Sequence, residues 1–148
     1  LVAPQNFMNN SGQAVGPLLD FYKLETTQVL IVCDDLNLPL GRLRLREHGS
    51  AGGQKGLADI LNRLGTSEVP RLRIGIGQPP PHFEATDFVL GRFTAEEQIT
   101  IETAVATAAE GALIWAQQGP AAAMNHLNPK PTSNDVDNGP ATVEPDDG

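Results

Sequence analysis

The strongest constraint on the fold is a continuous aliphatic run from Val29 to Cys33, in which three of the five residues are β-branched. Such a run predicts a strand covered on both faces. Two later segments, residues 42–46 and 71–76, alternate arginine with leucine or isoleucine at several positions. Because successive side chains of a strand point to opposite faces, these segments predict two strands with arginines on one solvated face.

Helical patterns lie between and after these strands. The clearest pattern begins at the capping box Thr94-Ala95-Glu96-Glu97 and ends at Gly119. Its predicted core-facing residues are Ile101, Val105, Ala108, Ala112, Trp115 and Ala116. Shorter helices are predicted over residues 11–22, 56–64 and 121–127. Strands separated by helices predict an α/β layer architecture, with part of the sheet mixed or exposed.

Length and cysteine content restrict the class of protein. The chain has 148 residues and one cysteine, Cys33, which predicts a single domain without a disulfide framework or a zinc cluster. No window approaches about 18 consecutive apolar residues, and no signal peptide is visible. These observations predict a cytoplasmic protein. The first residues, Leu1–Ala3, are apolar and lack a methionine, so we expect a fragment that begins inside a strand.

Charge is distributed unevenly around a net value of −8. Acidic residues predominate in residues 129–148, which contain few aliphatic side chains and predict a disordered tail after a domain of residues 1–128. A solvated appendage is favoured there over a functional tail. Basic residues predominate between positions 40 and 75, which allows a basic face on an acidic protein.

Two segments carry side chains suited to chemistry at the ends of predicted strands. Phe7–Gly12 opens a helix, a usual place for ligand contacts in an α/β sheet, although Asn10 or Ser11 capping that helix is the alternative. Asp34 and Asp35 end the first strand, where carboxylates orient histidines or bind metals. A turn in which they accept backbone amides is an equally good interpretation.

A third segment is the glycine-rich loop His48–Gly56, which enters a helix and would offer backbone N–H groups to an anion. A loop without a ligand is the alternative. The sequence contains neither a Walker A motif nor GxGxxG, and Gly75-Ile76-Gly77 is followed closely by prolines. No GxSxG motif accompanies a histidine, so nucleotide-binding proteins of these types and serine hydrolases are not supported.

Five segments in this order, followed by a long helix, closely resemble the bacterial-type peptidyl-tRNA hydrolases. They are FMNNSG, VCDDLNLPLG, GSAGGQKGL, RLRIGIGQP and DFVLGRF. The resemblance covers residues 1 to about 127 and leaves out the tail. It implies an α/β fold with a central mixed, mostly parallel sheet flanked by helices, from which the N-terminal strands are missing. It also implies hydrolysis of the ester that joins a peptide to tRNA, without a metal or cofactor.

The resemblance implies roles for individual residues. Asp34 matches the aspartate that orients the catalytic histidine and stabilises its imidazolium form. The residues that match the site for the peptide and the 3′ end of tRNA are Phe7, Met8, Asn9 and Lys55. Arg46 and Arg73 match basic positions that bind the 5′ phosphate of the acceptor stem. The implied partner is peptidyl-tRNA, with no membrane and a monomeric protein.

Two departures from the family pattern matter. The catalytic histidine belongs to a segment near the family's N-terminus, and none of His48, His82 or His126 matches it. We therefore expect the chain as given to be an inactive fragment. Gln54-Lys55 stands where the family commonly has His-Asn, so the role implied for Lys55 is in question. The alternative function is that of a non-catalytic RNA-binding relative, like chloroplast splicing factors that resemble this family.

Overall fold

The computed structural model describes residues 1–130, and the predicted tail lies outside them from residue 131 onward. Strands and helices follow the α/β order predicted from the sequence. The elements are α1 Gly12–Tyr22, β1 Ile31–Asp35, β2 Leu43–Arg46, α2 Lys55–Leu64, β3 Arg71–Gly75, α3 Ala85–Val89, α4 Ala95–Gln118 and α5 Pro120–Leu127. Single 3₁₀ turns cover Met8–Asn10 and Thr26–Gln28.

The three strands of the described residues form one sheet in the order β1-β3-β2. β3 is central, parallel to β1 and antiparallel to β2, so the predicted mixed sheet is confirmed. The register pairs Arg44 with Arg73 and Arg46 with Arg71. Directly opposed residues point to the same side of a sheet, so these four arginines share one face.

Leucines of β2 and β3 point to the opposite face, where α4 and α5 cover them. The buried cluster consists of Leu43, Leu45, Leu72, Ala104, Ala108, Ala123 and Leu127. A smaller cluster of Val15, Leu19 and Ile60 joins α1 and α2 beside Ile31 of β1. Helices therefore flank both faces of the sheet, as the α/β prediction requires.

The capping box of α4 is confirmed. Thr94 Oγ1 accepts from Glu97 N at 3.2 Å, and Glu97 Oε2 accepts from Thr94 N at 2.8 Å. Among residues 1–130, α4 is the one helix with the length and mean hydropathy of a membrane span. Ile101 and Ala104 of this helix are buried in the interior of the described fold.

The core-facing stripe of α4 differs from the prediction. The buried residues are Ile101, Ala104, Ala108 and Gly111, whereas Val105 is 51% exposed. Small residues face inward because α4 approaches α5 closely, and a methyl group at Gly111 would overlap the Leu127 side chain. The prediction is therefore wrong for Val105 and for Ala116, which are both exposed. It followed hydrophobicity, whereas the close helix contact selects for the small side chains that face α5.

The two-sided cover predicted for the first strand is wrong in the described residues. Val32 is 52% exposed, because α1 and α2 pack on the Ile31 side of β1 alone. The predicted strand at Leu1–Ala3 is also wrong, since these residues are exposed and pair with no strand of the described chain. An extended segment without a paired neighbour leaves its backbone groups to solvent.

The N-terminus of α1 is capped by a tertiary contact. Ser11 does not use its side chain as a cap, because its hydroxyl donates to Met8 O at 2.6 Å. Instead, Asp59 Oδ2 on α2 accepts from Gly12 N at 2.7 Å. A carboxylate at a helix N-terminus is also favoured by the helix dipole, so this contact fixes α1 against α2.

Asn128 fastens the end of α5 to the free edge of β2. Its Oδ1 accepts from Leu45 N at 2.7 Å and its Nδ2 donates to Leu45 O at 3.1 Å. We expect Asn128→Ala to lower the free energy of unfolding by about 1–3 kcal/mol, because both backbone groups lose their partner. Chemical denaturation measures the change. Asn125→Ala, at an exposed position of the same helix, is the control, and equal losses in the two variants would contradict this role.

Candidate functional site at the carboxyl end of β1

The adjacent carboxylates that end β1 have different surroundings. Asp35 is buried, accepts from Asn37 N at 2.8 Å and lies 3.4 Å from an Arg73 guanidinium nitrogen. The turn interpretation therefore holds for Asp35. Asp34 is only partly buried, and its Oδ1 accepts from Gln54 Nε2 at 3.1 Å. Alternation along the strand thus separates a structural carboxylate from one available to a ligand.

Gln54 connects Asp34 to the beginning of α2. Its Oε1 accepts from Leu57 N at 2.7 Å, which makes Gln54 the N-cap of α2. Its Nε2 lies 3.3 Å from Met8 Sδ as well as near Asp34. Met8 also packs on Gly56, where an added Cβ would lie 2.9 Å from Met8 Cγ. Three of the motifs found in the sequence therefore meet at the N-terminus of α2.

The remaining substrate-site residues flank this junction. Lys55 is the exposed first residue of α2, next to Gln54. Phe7 is 82% exposed and Met8 43% exposed, and Asn9 lies beside them in the 3₁₀ turn. No hydrogen bond among the described residues joins the side chain of Asn9 or Lys55 to Asp34. Their roles stay predictions, on surfaces that a ligand can reach.

Arginines of β3 are buried beneath the glycine-rich loop, so the solvated face predicted for them is wrong. Arg73 donates to Ala51 O at 2.8 Å and Ser50 O at 3.2 Å, and Arg71 donates to Ser50 O at 2.9 Å and Val69 O at 2.7 Å. The loop folds over β3 because these carbonyls satisfy the guanidinium donors. Burial, followed by the charge of Arg73, lowers the pKa of Arg71.

The backbone of the glycine-rich loop is shaped so that its carbonyls bind these arginines. Gly49, Gly52 and Gly53 have positive φ values of 133°, 58° and 84°, which L side chains rarely adopt. With these angles the loop turns its Ser50 and Ala51 carbonyls inward. These two carbonyls are therefore occupied by the arginines, and the anion site predicted on the loop's N–H groups stays a prediction.

Arginines of β2 meet the sequence-based expectation. Arg44 and Arg46 are exposed while Leu43 and Leu45 are buried, and Arg42 before the strand is also exposed. Within residues 1–130 no ion pair engages these three arginines. Together they form a basic surface at the edge of the sheet, which we call the β2 arginine edge.

Other reactive groups do not converge on Asp34. Burial, partly offset by the charge of Arg73, raises the pKa of the Cys33 thiol to about 11, so this thiol is protonated at neutral pH. His126 Nε2 lies 3.5 Å from Glu110 Oε2, and no described hydrogen bond joins a histidine to Asp34. In the part of the chain that the structure describes, no group of three ligands could hold a metal ion.

Comparisons with known proteins show the family to which the chain belongs. A family model described as Peptidyl-tRNA hydrolase matches residues 1–135. The peptidyl-tRNA hydrolase of Rhodopirellula baltica is 47% identical over 128 residues, covering 86% of this chain and 67% of that protein. The peptidyl-tRNA hydrolase of Chloroflexus aggregans is 49% identical over 130 residues, covering 87% of this chain and 69% of that protein.

A solved structure shows the same fold. The crystal structure of peptidyl-tRNA hydrolase from Acinetobacter baumannii matches with a TM-score of 0.78 at 35% identity, covering 84% of this chain and 63% of that one. The chain therefore belongs to the peptidyl-tRNA hydrolase family. It spans 67–69% of the length of the two sequence relatives and 63% of the solved chain.

Proposed function

We propose that this chain forms the aspartate-bearing part of an enzyme that hydrolyses the ester bond between peptide and tRNA, and so recycles tRNA from stalled or aborted translation. The observation that carries the proposal is the position of Asp34 at the carboxyl end of β1, with Gln54 on one oxygen and Met8 alongside. The family membership of the chain gives this carboxylate its chemical context.

In the proposed mechanism Asp34 acts on a histidine base. The histidine takes a proton from the attacking water, and the ionised Asp34 carboxylate stabilises the imidazolium that forms. No described contact joins His48, His82 or His126 to Asp34, so we assign the base to the part of the family's proteins that these 148 residues do not match. Phe7, Met8, Asn9 and Lys55 would line the ester and the 3′ end of tRNA.

Arg46 is the proposed contact for the acceptor-stem phosphate, because it is exposed at the end of the β2 arginine edge. An arginine is always charged and binds phosphate bidentately. The matching role implied for Arg73 stays a prediction, and in this structure Arg73 donates to Ala51 O and pairs with Asp35. The cytoplasm and a monomeric state are proposed by the same family resemblance, with no cofactor.

In a longer version of the protein, extended upstream to a start codon, we expect Arg46→Ala to raise KM for peptidyl-tRNA with little change in kcat. The salt slope of log KM should fall by about 0.7–0.9 for each phosphate that the variant no longer neutralises. Steady-state kinetics at several salt concentrations measure both effects. The control is Glu47→Gln, which removes the neighbouring negative charge and should lower KM slightly. An unchanged salt slope in Arg46→Ala would contradict the proposed binding of phosphate by Arg46.

Peptide release from a purified peptidyl-tRNA tests the function itself. The 148-residue chain should release no peptide, whereas a longer version extended upstream to a start codon should release it catalytically. If the extended protein bound RNA with a steep salt dependence but cleaved nothing, the non-catalytic RNA-binding alternative would replace the proposal. Activity of the 148-residue chain alone would overturn the assignment of the base to another segment.

A further inference from the structure

The side-chain amide of Gln54 is held at both ends. Leu57 N–H can only donate, so the atom that it contacts at 2.7 Å must be the amide oxygen of Gln54. The amide NH₂ is then directed at Asp34 Oδ1, which accepts from it at 3.1 Å. The orientation of this amide therefore follows from its partners.

The two ends serve different elements. The oxygen stabilises the first turn of α2, and the nitrogen holds a carboxylate at the end of β1. An ionised aspartate or glutamate side chain can only accept hydrogen bonds, and a lysine side chain can only donate them. Neither type can therefore make both of the bonds that Gln54 makes. Asparagine has the same groups but is one methylene shorter. Glutamine at position 54 thus combines a capping acceptor with a donor for Asp34.

Asp34 is left with one free oxygen. Oδ1 accepts from Gln54, whereas Oδ2 has no hydrogen-bond partner among residues 1–130. In the same residues no buried side-chain oxygen or nitrogen lacks a partner, so Oδ2 is not a buried orphan and is open to the site. A carboxylate fixed through one oxygen presents the other in a defined direction.

We infer that Gln54 is a positioning residue. It fixes the Asp34 carboxylate through Oδ1, so that Oδ2 is directed toward the histidine base of the proposed mechanism. The kinetic part of this inference rests on the proposed hydrolase function. The contact itself does not, because it joins two residues of the described structure. Through the same two bonds Gln54 links the beginning of α2, where Lys55 lies, to the end of β1.

The charged and titratable groups around Asp34 are few. Asp35 follows it on β1 and is paired with Arg73 of β3, and the Cys33 thiol precedes it. Lys55 stands beside Gln54 on α2. The 3₁₀ turn with Met8 contributes no titratable side chain. The uncharged Gln54 amide is therefore the group in direct contact with Asp34 Oδ1.

Substitutions at position 54 separate the two bonds. Gln54→Glu keeps an acceptor for Leu57 N but replaces the donor with a second carboxylate beside Asp34. Gln54→His offers a ring N–H donor, and Gln54→Met removes both polar groups. Gln13→Glu is the matched control, because it adds the same charge at an exposed position in the first turn of α1. All variants are made in the longer, extended protein described above.

We expect Gln54→Glu to lower kcat about 10-fold to 100-fold, the factor given by loss of one hydrogen bond to a charged group, with KM nearly unchanged. Repulsion between the two carboxylates should also lower thermal stability slightly at neutral pH. The acid limb of its pH–rate profile should move to higher pH, because two adjacent carboxylates resist a second ionisation. Gln54→His should keep part of the kcat that Gln54→Glu loses, because its ring N–H can still donate to Asp34. Gln54→Met should lower both kcat and stability. Gln13→Glu should match the parent.

Carbon NMR of the side-chain carboxyls provides a test that does not depend on activity. In Gln54→Glu the Asp34 signal should titrate at higher pH than in the parent. No movement of this signal, or a kcat loss that merely follows a loss of stability, would overturn the positioning role. If the signal moves but no version releases peptide, the contact stands and the hydrolase proposal fails instead.

Discussion

Asp34→Asn in the extended protein is expected to lower kcat by about 100-fold or more while KM changes little. An amide keeps the shape of the carboxylate but carries no charge to stabilise an imidazolium, so the loss falls on the transition state. The phosphate contact proposed for Arg46 should be unaffected. Single-turnover and steady-state peptide release together measure the two parameters.

Asp35→Asn is the matched control, since it makes the same change one residue further along β1. Asp35 is buried and its Oδ2 lies 3.4 Å from Arg73. Its neutralisation leaves a buried guanidinium without a counter-charge, which should lower the free energy of unfolding by about 3 kcal/mol. Asp34→Asn should cost little stability. A pure KM effect for Asp34→Asn, or equal kcat losses in both variants, would refute the role proposed for Asp34.

Helix ends in this chain are predictable because their signals are local. The Thr94 capping box and Gly65 both stand where the structure begins or ends a helix, and Gly65 has the positive φ of 67° that a C-cap requires. α5 begins at Pro120, one residue before the predicted helix. Each of these signals needs only neighbouring residues, so no knowledge of the tertiary fold is required.

Whether each strand arginine is buried or exposed depends on the order of the strands in the sheet. Local sequence signals therefore could not predict it. The RLRLR and RLRIG segments have the same alternation, yet Arg44 is exposed and Arg73 is buried. The difference arises because β3 is central and the glycine-rich loop folds over it, whereas β2 is at an edge. Period-2 patterning identifies which residues share a face but not what covers that face.

The candidate site shows the same division. Asp34 and Met8 stand in separate motifs that the sequence indicates independently, at strand and helix ends. Their meeting point, the Gln54 side chain, has no local signal, because its partners Asp34 and Leu57 lie on different elements. The sequence indicates which segments carry chemistry, and the packing of α2 beside β1 determines which atoms touch.

Gly75→Ala is expected to destabilise the fold by about 3 kcal/mol, because a Cβ there would overlap the Pro39 carbonyl oxygen and lie 2.9 Å from Leu38 O. These are backbone atoms that cannot rotate away. The segment after β1 crosses directly over Gly75, and Gly75 N donates to Arg42 O at 2.7 Å while Gly41 N donates to Gly75 O at 2.9 Å. Chemical denaturation measures the loss.

Gly53→Ala separates this clash from backbone strain. Gly53 has a φ of 84° but nothing within 4 Å of an added Cβ, so its variant should lose only about 1–2 kcal/mol, the cost of a left-handed conformation. Equal losses at the two positions would contradict the close crossing over Gly75. A larger loss at Gly75 would show that the segment following Asp35 is pressed against β3. The end of β1 that carries Asp34 would then be held from both sides, by this crossing and by Gln54.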